Sequence, residues 1–280
     1  MNNYTLKNRN QKTKIIFYVL FTIIIVMLSV LFLKKNLKSD AKPVPSKEAS
    51  SIKTTSPLTT KQETSKSQTT SSSNNYKKML TVPKSDEVDN SYFDDAIFIG
   101  DSRTEGLMLY TGLNNATFYT HKGLMVNTAF TSPAINLNGK KVSVMDAVKN
   151  NKKFSKAYIM LGINELGWAS PNLYIEKYSL IVDTIKATNP NAKIYVQSLI
   201  PVTKSKSSSS KVFNNENINK FNNYLYDMCK EKQVYYLNIS EALAEKNGCI
   251  PEESAYDGIH LKKPYCEKWL EYIKTHTVQN

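Results

Sequence analysis

Residues 96–110 read Ala-Ile-Phe-Ile-Gly-Asp-Ser-Arg-Thr-Glu-Gly-Leu-Met-Leu-Tyr, and the change of character at Gly100 decides the fold. Ala96 to Ile99 is an apolar run of strand length, while Thr104–Tyr110 has helical periodicity. A strand, a tight turn and a helix make the first half of a βα unit. Outward from it the same alternation recurs. Strand-like runs lie at Ala157–Leu161, Lys193–Leu199 and Val234–Asn238, with a weaker one at Ala116–Thr120. Helical patterns lie at Val142–Lys149, Leu173–Ala187, Asn215–Lys232 and Pro264–His276. Strands alternating with helices predict an α/β domain with a mainly parallel sheet covered on both faces. Such sheets carry their sites beyond the carboxyl ends of the strands. Ser102, after the first strand, and Asn164, after Ala157–Leu161, therefore fall on one rim.

The chemistry-bearing segments are Gly100-Asp101-Ser102 and, far along the chain, Asp257-Gly258-Ile259-His260. A serine hydroxyl needs a base to take its proton, and a histidine serves best when a carboxylate fixes its ring. Neither segment is specific alone. His121-Lys122-Gly123-Leu124 and Gly162-Ile163-Asn164-Glu165 stand between them, and the four blocks in this order resemble the SGNH/GDSL hydrolase family over residues 92–262. The resemblance implies a three-layer α/β/α sandwich with a flavodoxin-like sheet. It also implies Ser102 as nucleophile, His260 as base and Asp257 as its orienting carboxylate. The backbone N–H groups of Ser102 and Gly123 and the side-chain amide of Asn164 would form the oxyanion hole. These types suit the roles: glycine at 123 would let the backbone approach the anion without a Cβ, and asparagine donates without carrying charge. The chemistry calls for no metal or organic cofactor.

Arg103 and Glu165 depart from the family pattern, which has Leu and often Asp there. Arg103 faces solvent or a carboxylate, with substrate contact as the functional alternative. Glu165 receives no role. Trp168 either stacks on a sugar ring or plugs the loop after Asn164. His121 is a second candidate base, without a neighbouring carboxylate in sequence. Asp101 shapes the turn before Ser102, and His276 lies in a frayed terminal tail. Residues 202–213 (VTKSKSSSSKVF) read as a polar, mobile loop. It is either a solvated surface or a lid whose Lys204, Lys206 and Lys211 meet an anionic substrate.

Upstream, Ile15 to Leu33 is an uncharged apolar run of 19 residues, long enough for a bilayer core of about 30 Å. It reads as a transmembrane signal anchor after a cytoplasmic tail (residues 1–14). A disordered Ser/Thr/Lys-rich linker (34–75) follows, then the hydrolase domain (76–280), placed outside the cell. The chain's formal charge is +13, of which +9 falls in residues 1–75. That distribution suits anionic headgroups or surface polymers and argues against nucleic acid as a partner. Cys249 and Cys266 could pair in an oxidising compartment with Cys229 as a buried thiol, or all three could be unpaired. The expected activity is hydrolysis of small acyl esters, acetyl foremost, on a cell-surface carbohydrate. A lipase, lysophospholipase or thioesterase and a carbohydrate O-acetyltransferase are the alternatives among enzymes. A non-catalytic wall-binding module is the alternative of another class, and oligomeric state is left open.

Overall fold

The structure, a computed structural model, describes residues Leu80–Val278. The expected cytoplasmic tail, membrane span and linker, with residues 76–79 of the expected domain, lie outside the described residues. Among those described, no helix is long and apolar enough to cross a membrane.

Five parallel strands form the central sheet: β1 (Ala96–Gly100), β2 (Thr117–Thr120), β5 (Lys156–Met160), β6 (Lys193–Gln197) and β7 (Tyr235–Leu237). They stand side by side as β2-β1-β5-β6-β7. Counted within this sheet alone, that is the 2-1-3-4-5 order of flavodoxin-like folds, with its switch point between β1 and β5. All five residues of β1 are buried, as a strand covered on both faces requires.

The helices are α1 (Ser102–Thr111), α2 (Val144–Asn150), α3 (Pro171–Thr188), α4 (Lys204–Ser209), α5 (Asn215–Lys232), α6 (Ser240–Leu243) and α7 (Lys263–Lys274). In one group α1 packs on α7; in the other α3 packs on both α2 and α5. Pro171 opens α3 behind its cap Ser170, where a missing N–H costs nothing. Gly112 ends α1 in the left-handed conformation at φ 66°, the usual glycine stop.

One row of rings crosses the whole sheet. Phe118, Phe98, Tyr158, Tyr195 and Tyr235 are register partners on successive strands. Neighbouring rings stack at centroid distances of 4.8, 4.7, 4.6 and 5.3 Å. Cross-strand aromatic pairs of this kind add to sheet stability beyond the area they bury.

Two expectations need correction, and one element is new. The polar segment after Val202 is not a free loop: Thr203 caps α4 by accepting from the Lys206 N–H, and Val202 and Thr203 are buried. His276 is not frayed but buried, with its ring stacked on Tyr272 at 3.7 Å. An antiparallel hairpin, β3 (Ile135–Leu137) and β4 (Lys140–Val142), was not foreseen. Asn138 and Gly139 turn it with positive φ, the signature of a two-residue hairpin turn. All three cysteines are free thiols.

Candidate active site

The site starts where β1 ends. A Cβ on Gly100 would lie 1.9 Å from Thr104 Oγ1 and 2.8 Å from the Met160 carbonyl oxygen, so only glycine lets strand and helix meet this closely. Asp101 then caps α1, its carboxylate accepting the Arg103 N–H at 2.9 Å. Ser102 is the first residue of the helix, where backbone N–H groups lack intrahelical acceptors and the helix dipole is positive.

Ser102 Oγ lies 2.9 Å from His260 Nε2, and His260 Nδ1 lies 2.8 Å from Asp257 Oδ2. The other Asp257 oxygen accepts the backbone N–H groups of Ile259 at 2.9 Å and His260 at 2.8 Å. Partial burial raises the Asp257 pKa, but these donors and the His260 ring outweigh it and bring it down to about 2. A nucleophile, a base and a fixed carboxylate thus form one hydrogen-bonded line across 158 residues of chain.

Ser102, Gly123, Asn164 and His260 line a single cleft of about 550 Å³. Gly123 sits in a turn closed by the Leu124 N–H donating to the His121 carbonyl at 3.0 Å. Its φ of +71° calls for glycine, whereas an added Cβ would touch nothing within 4 Å. The positive φ by itself favours glycine there. Asn164 belongs to a 3₁₀ turn (Ile163–Glu165) just after β5. Its amide donates to the Leu124 carbonyl at 3.0 Å and more weakly to Asp101 Oδ2 at 3.4 Å.

Glu165 was the residue that sequence reasoning passed over. Its side chain is fully buried, and Oε1 accepts the Val126 N–H at 2.6 Å. Burial, reinforced by the charge of Asp101, raises its pKa to about 8 against the pull of the Val126 N–H. The carboxyl is therefore held as the neutral acid at neutral pH. Together the Asn164–Leu124 and Glu165–Val126 bonds tie the segment bearing Gly123 to the turn bearing Asn164. The one signal in the sequence was a carboxylate placed directly after an apolar strand and Gly-Ile-Asn.

Arg103 borders the cleft but is 3% exposed, and its Nη1 donates to the Ile200 carbonyl at 2.6 Å. Burial lowers its pKa to about 10, opposed by the charges of Asp101 and Asp257. Asp101 is raised by burial to about 6, with the Arg103 N–H and guanidinium and the charge of His260 opposing. Arg103 thus lies under the site rather than in open solvent. Trp168 stands outside the cleft lining, half-buried against the core, and exposed His121 does not line the cleft either. Lys206 packs its stem toward Gly258 instead of reaching the cleft.

The model of the GDSL-like Lipase/Acylhydrolase family matches residues 98–263. A provisionally named platelet activating factor of Streptococcus pneumoniae is similar at 18% identity, covering 72% of this chain and 88% of that one, with a TM-score of 0.52. A GDSL-like lipase from Bacteroides thetaiotaomicron is 12% identical over 74% of this chain and 94% of its own (TM-score 0.48). A carbohydrate acetylesterase from Sinorhizobium meliloti is 12% identical over 64% and 95% (TM-score 0.46). No curated protein matches the chain. The matched span contains the strand–turn–helix at Ser102 as well as the Asp257–His260 turn, and this chain belongs to the GDSL-like lipase/acylhydrolase family, serine hydrolases that act on esters.

Proposed function

We propose that this chain is a serine esterase, held outside a membrane by Ile15–Leu33, that removes small acyl groups, acetyl foremost, from a surface carbohydrate. The hydrogen-bonded line Ser102–His260–Asp257, at 2.9 and 2.8 Å, is the observation that carries the reading. In it Ser102 Oγ attacks the ester carbonyl carbon while its proton passes to His260 Nε2. The oxyanion takes hydrogen bonds from the N–H groups of Ser102 and Gly123 and from the Asn164 amide, whose weaker bond to Asp101 is the one to exchange. The carbonyl carbon–alcohol oxygen bond then breaks, and the departing oxygen takes the proton from His260. Water attacks the acyl-serine by the reverse route, giving the carboxylic acid and returning the proton to Ser102. Asp257 remains ionised throughout and stabilises the imidazolium.

Two features support a small acyl group on a sugar. An alkyl chain is best bound where water is excluded, yet two of the large apolar side chains at the cleft, Leu109 and Tyr256, are 63% and 66% exposed. The apolar run at Ile15–Leu33 and the tether after it favour a substrate at the cell surface. The full-length chain incubated with isolated wall polysaccharide is expected to release acetate, and Ser102→Ala to lower that rate at least about 10³-fold. Equal release by the variant would remove Ser102 from the mechanism. For the location, protease added to intact cells is expected to cut within residues 34–75; cleavage only after permeabilisation would reverse the orientation.

A further inference from the structure

Ser102, Gly106, Leu109 and Tyr110 fall at positions i, i+4, i+7 and i+8 of α1, and all four line the cleft. That spacing puts them on one helix face, so the groove runs about 10 Å along α1 from Ser102 to Leu109. Tyr256 and Leu261, near His260 in sequence, line the same cleft. The Tyr256 backbone is fixed by its N–H donating to the His260 carbonyl at 2.9 Å and by the bridge between Ala255 and Leu261. Its ring is nevertheless two-thirds exposed. The Tyr256 side chain meets that of Tyr110, and Lys262 Nζ lies 5.8 Å from the Tyr256 ring centroid. Neither contact covers the ring, which stays exposed beside the cleft with Leu109.

Gly106 adds an independent sign. A glycine inside a helix costs stability relative to alanine. A Cβ at Gly106 would meet Cys266 Sγ at 3.8 Å and the Tyr110 ring at 4.0 Å, both ordinary contacts. Packing does not demand glycine here. Its effect is to leave the groove floor open one helical turn from Ser102.

Building on the esterase reading above, we propose that Tyr256 and Leu109, over the floor at Gly106, form the subsite for the alcohol half of the ester, and that this half is a sugar ring. The assignment to the alcohol half rests on proton transfer: His260 must reach the departing oxygen, and Tyr256 lines the cleft that His260 also lines. The chemistry follows from the surface. A sugar ring sets its C–H face on an aromatic side chain and leaves its hydroxyls to water, and Glu105 and Lys122 border the same cleft. This assigns to Tyr256 the stacking role that the sequence suggested for Trp168.

The test compares kcat/KM of the full-length chain for an acetylated methyl glucoside, ethyl acetate and decyl acetate, keeping the acyl group constant. Tyr256→Ala and Leu109→Ala are expected to lower the glucoside-to-ethyl ratio about three- to tenfold, mainly through KM. Tyr256→Phe should restore most of it. Gly106→Ala should lower the ratio while raising the melting temperature, a combination that a folding defect does not give. Leu180→Ala, exposed on α3 away from the cleft, is the control and should leave the ratio alone. An unchanged ratio in the Tyr256 and Leu109 variants, with hydrolysis intact, overturns the subsite and leaves the esterase reading standing. A wild-type preference for decyl acetate that the Tyr256 variant loses also overturns it, because the occupant is then an alkyl chain. No Ser102-dependent hydrolysis of any of the three esters overturns the esterase reading itself.

Discussion

Glu165 does not itself line the cleft that holds Ser102, yet it fixes two of the segments that do. Its ionisation is linked to folding in a definite direction. The folded value, about 8, lies above the ordinary carboxyl value of 4.5. Its contribution to stability is therefore fully present below about pH 4.5 and is lost as pH rises through about 8. Glu165→Gln keeps an oxygen for the Val126 N–H and cannot ionise. Between pH 5 and 8.5 the wild type is expected to lose roughly 1–4 kcal/mol relative to the variant. Thermal unfolding across that range checks this, and parallel curves would disprove the assignment. The identity of Glu165 was readable, but not its burial: nothing local tells a carboxylate after a strand from one at the surface. Gly123 differs in kind. Its residue type was legible and its positive φ was not, because that φ is set by the turn that crosses the rim.

Among the elements, β1 lies where its apolar run predicts, at Ala96–Gly100, since a strand buried on both faces writes itself as a continuous apolar run. The helix α4 could not be read in that way. None of its residues is buried, so its Lys/Ser sequence has no apolar period. It is held by its Thr203 cap and by its neighbours. The Thr203 N–H donates to the Gly258 carbonyl at 3.1 Å, and the Ser205 N–H donates to Glu252 at 2.8 Å. This helix is a support for the Asp257–His260 turn, and Gly258 is the point of contact. A Cβ there would lie 2.7 Å from Lys206 Cβ and 2.8 Å from Thr203 Oγ1, at a φ of +83°. Gly258→Ala is expected to cost about 1–3 kcal/mol. It should also lower kcat by about 10–100-fold by moving His260 away from Ser102. Melting temperature and kcat measured together separate the two effects; a full kcat in the variant would show that α4 does not position the turn.

Across the whole molecule, the aromatic row from Phe118 to Tyr235 links all five strands, and Tyr158 is fully buried at its centre between Phe98 and Tyr195. Removing that ring opens a cavity in a close-packed sheet. Tyr158→Ala is expected to lose about 3–5 kcal/mol, seen as a lower denaturation midpoint, and a change below about 1 kcal/mol would mean that the row contributes only area. The parallel α/β class, the strand cores and the rim shared by Ser102 and Asn164 were determined by the sequence itself. Strand periodicity, helical periodicity and turn residues are local properties, written within a few positions of one another. Only the tertiary structure decided that Ser102, His260 and Asp257 meet at hydrogen-bond distance. It also decided that Glu165 is a buried acid, and that Tyr256 rather than Trp168 faces the cleft. These are relations between segments up to 158 residues apart. They depend on how helices settle against the sheet, and burial and distance exist only once the chain has closed.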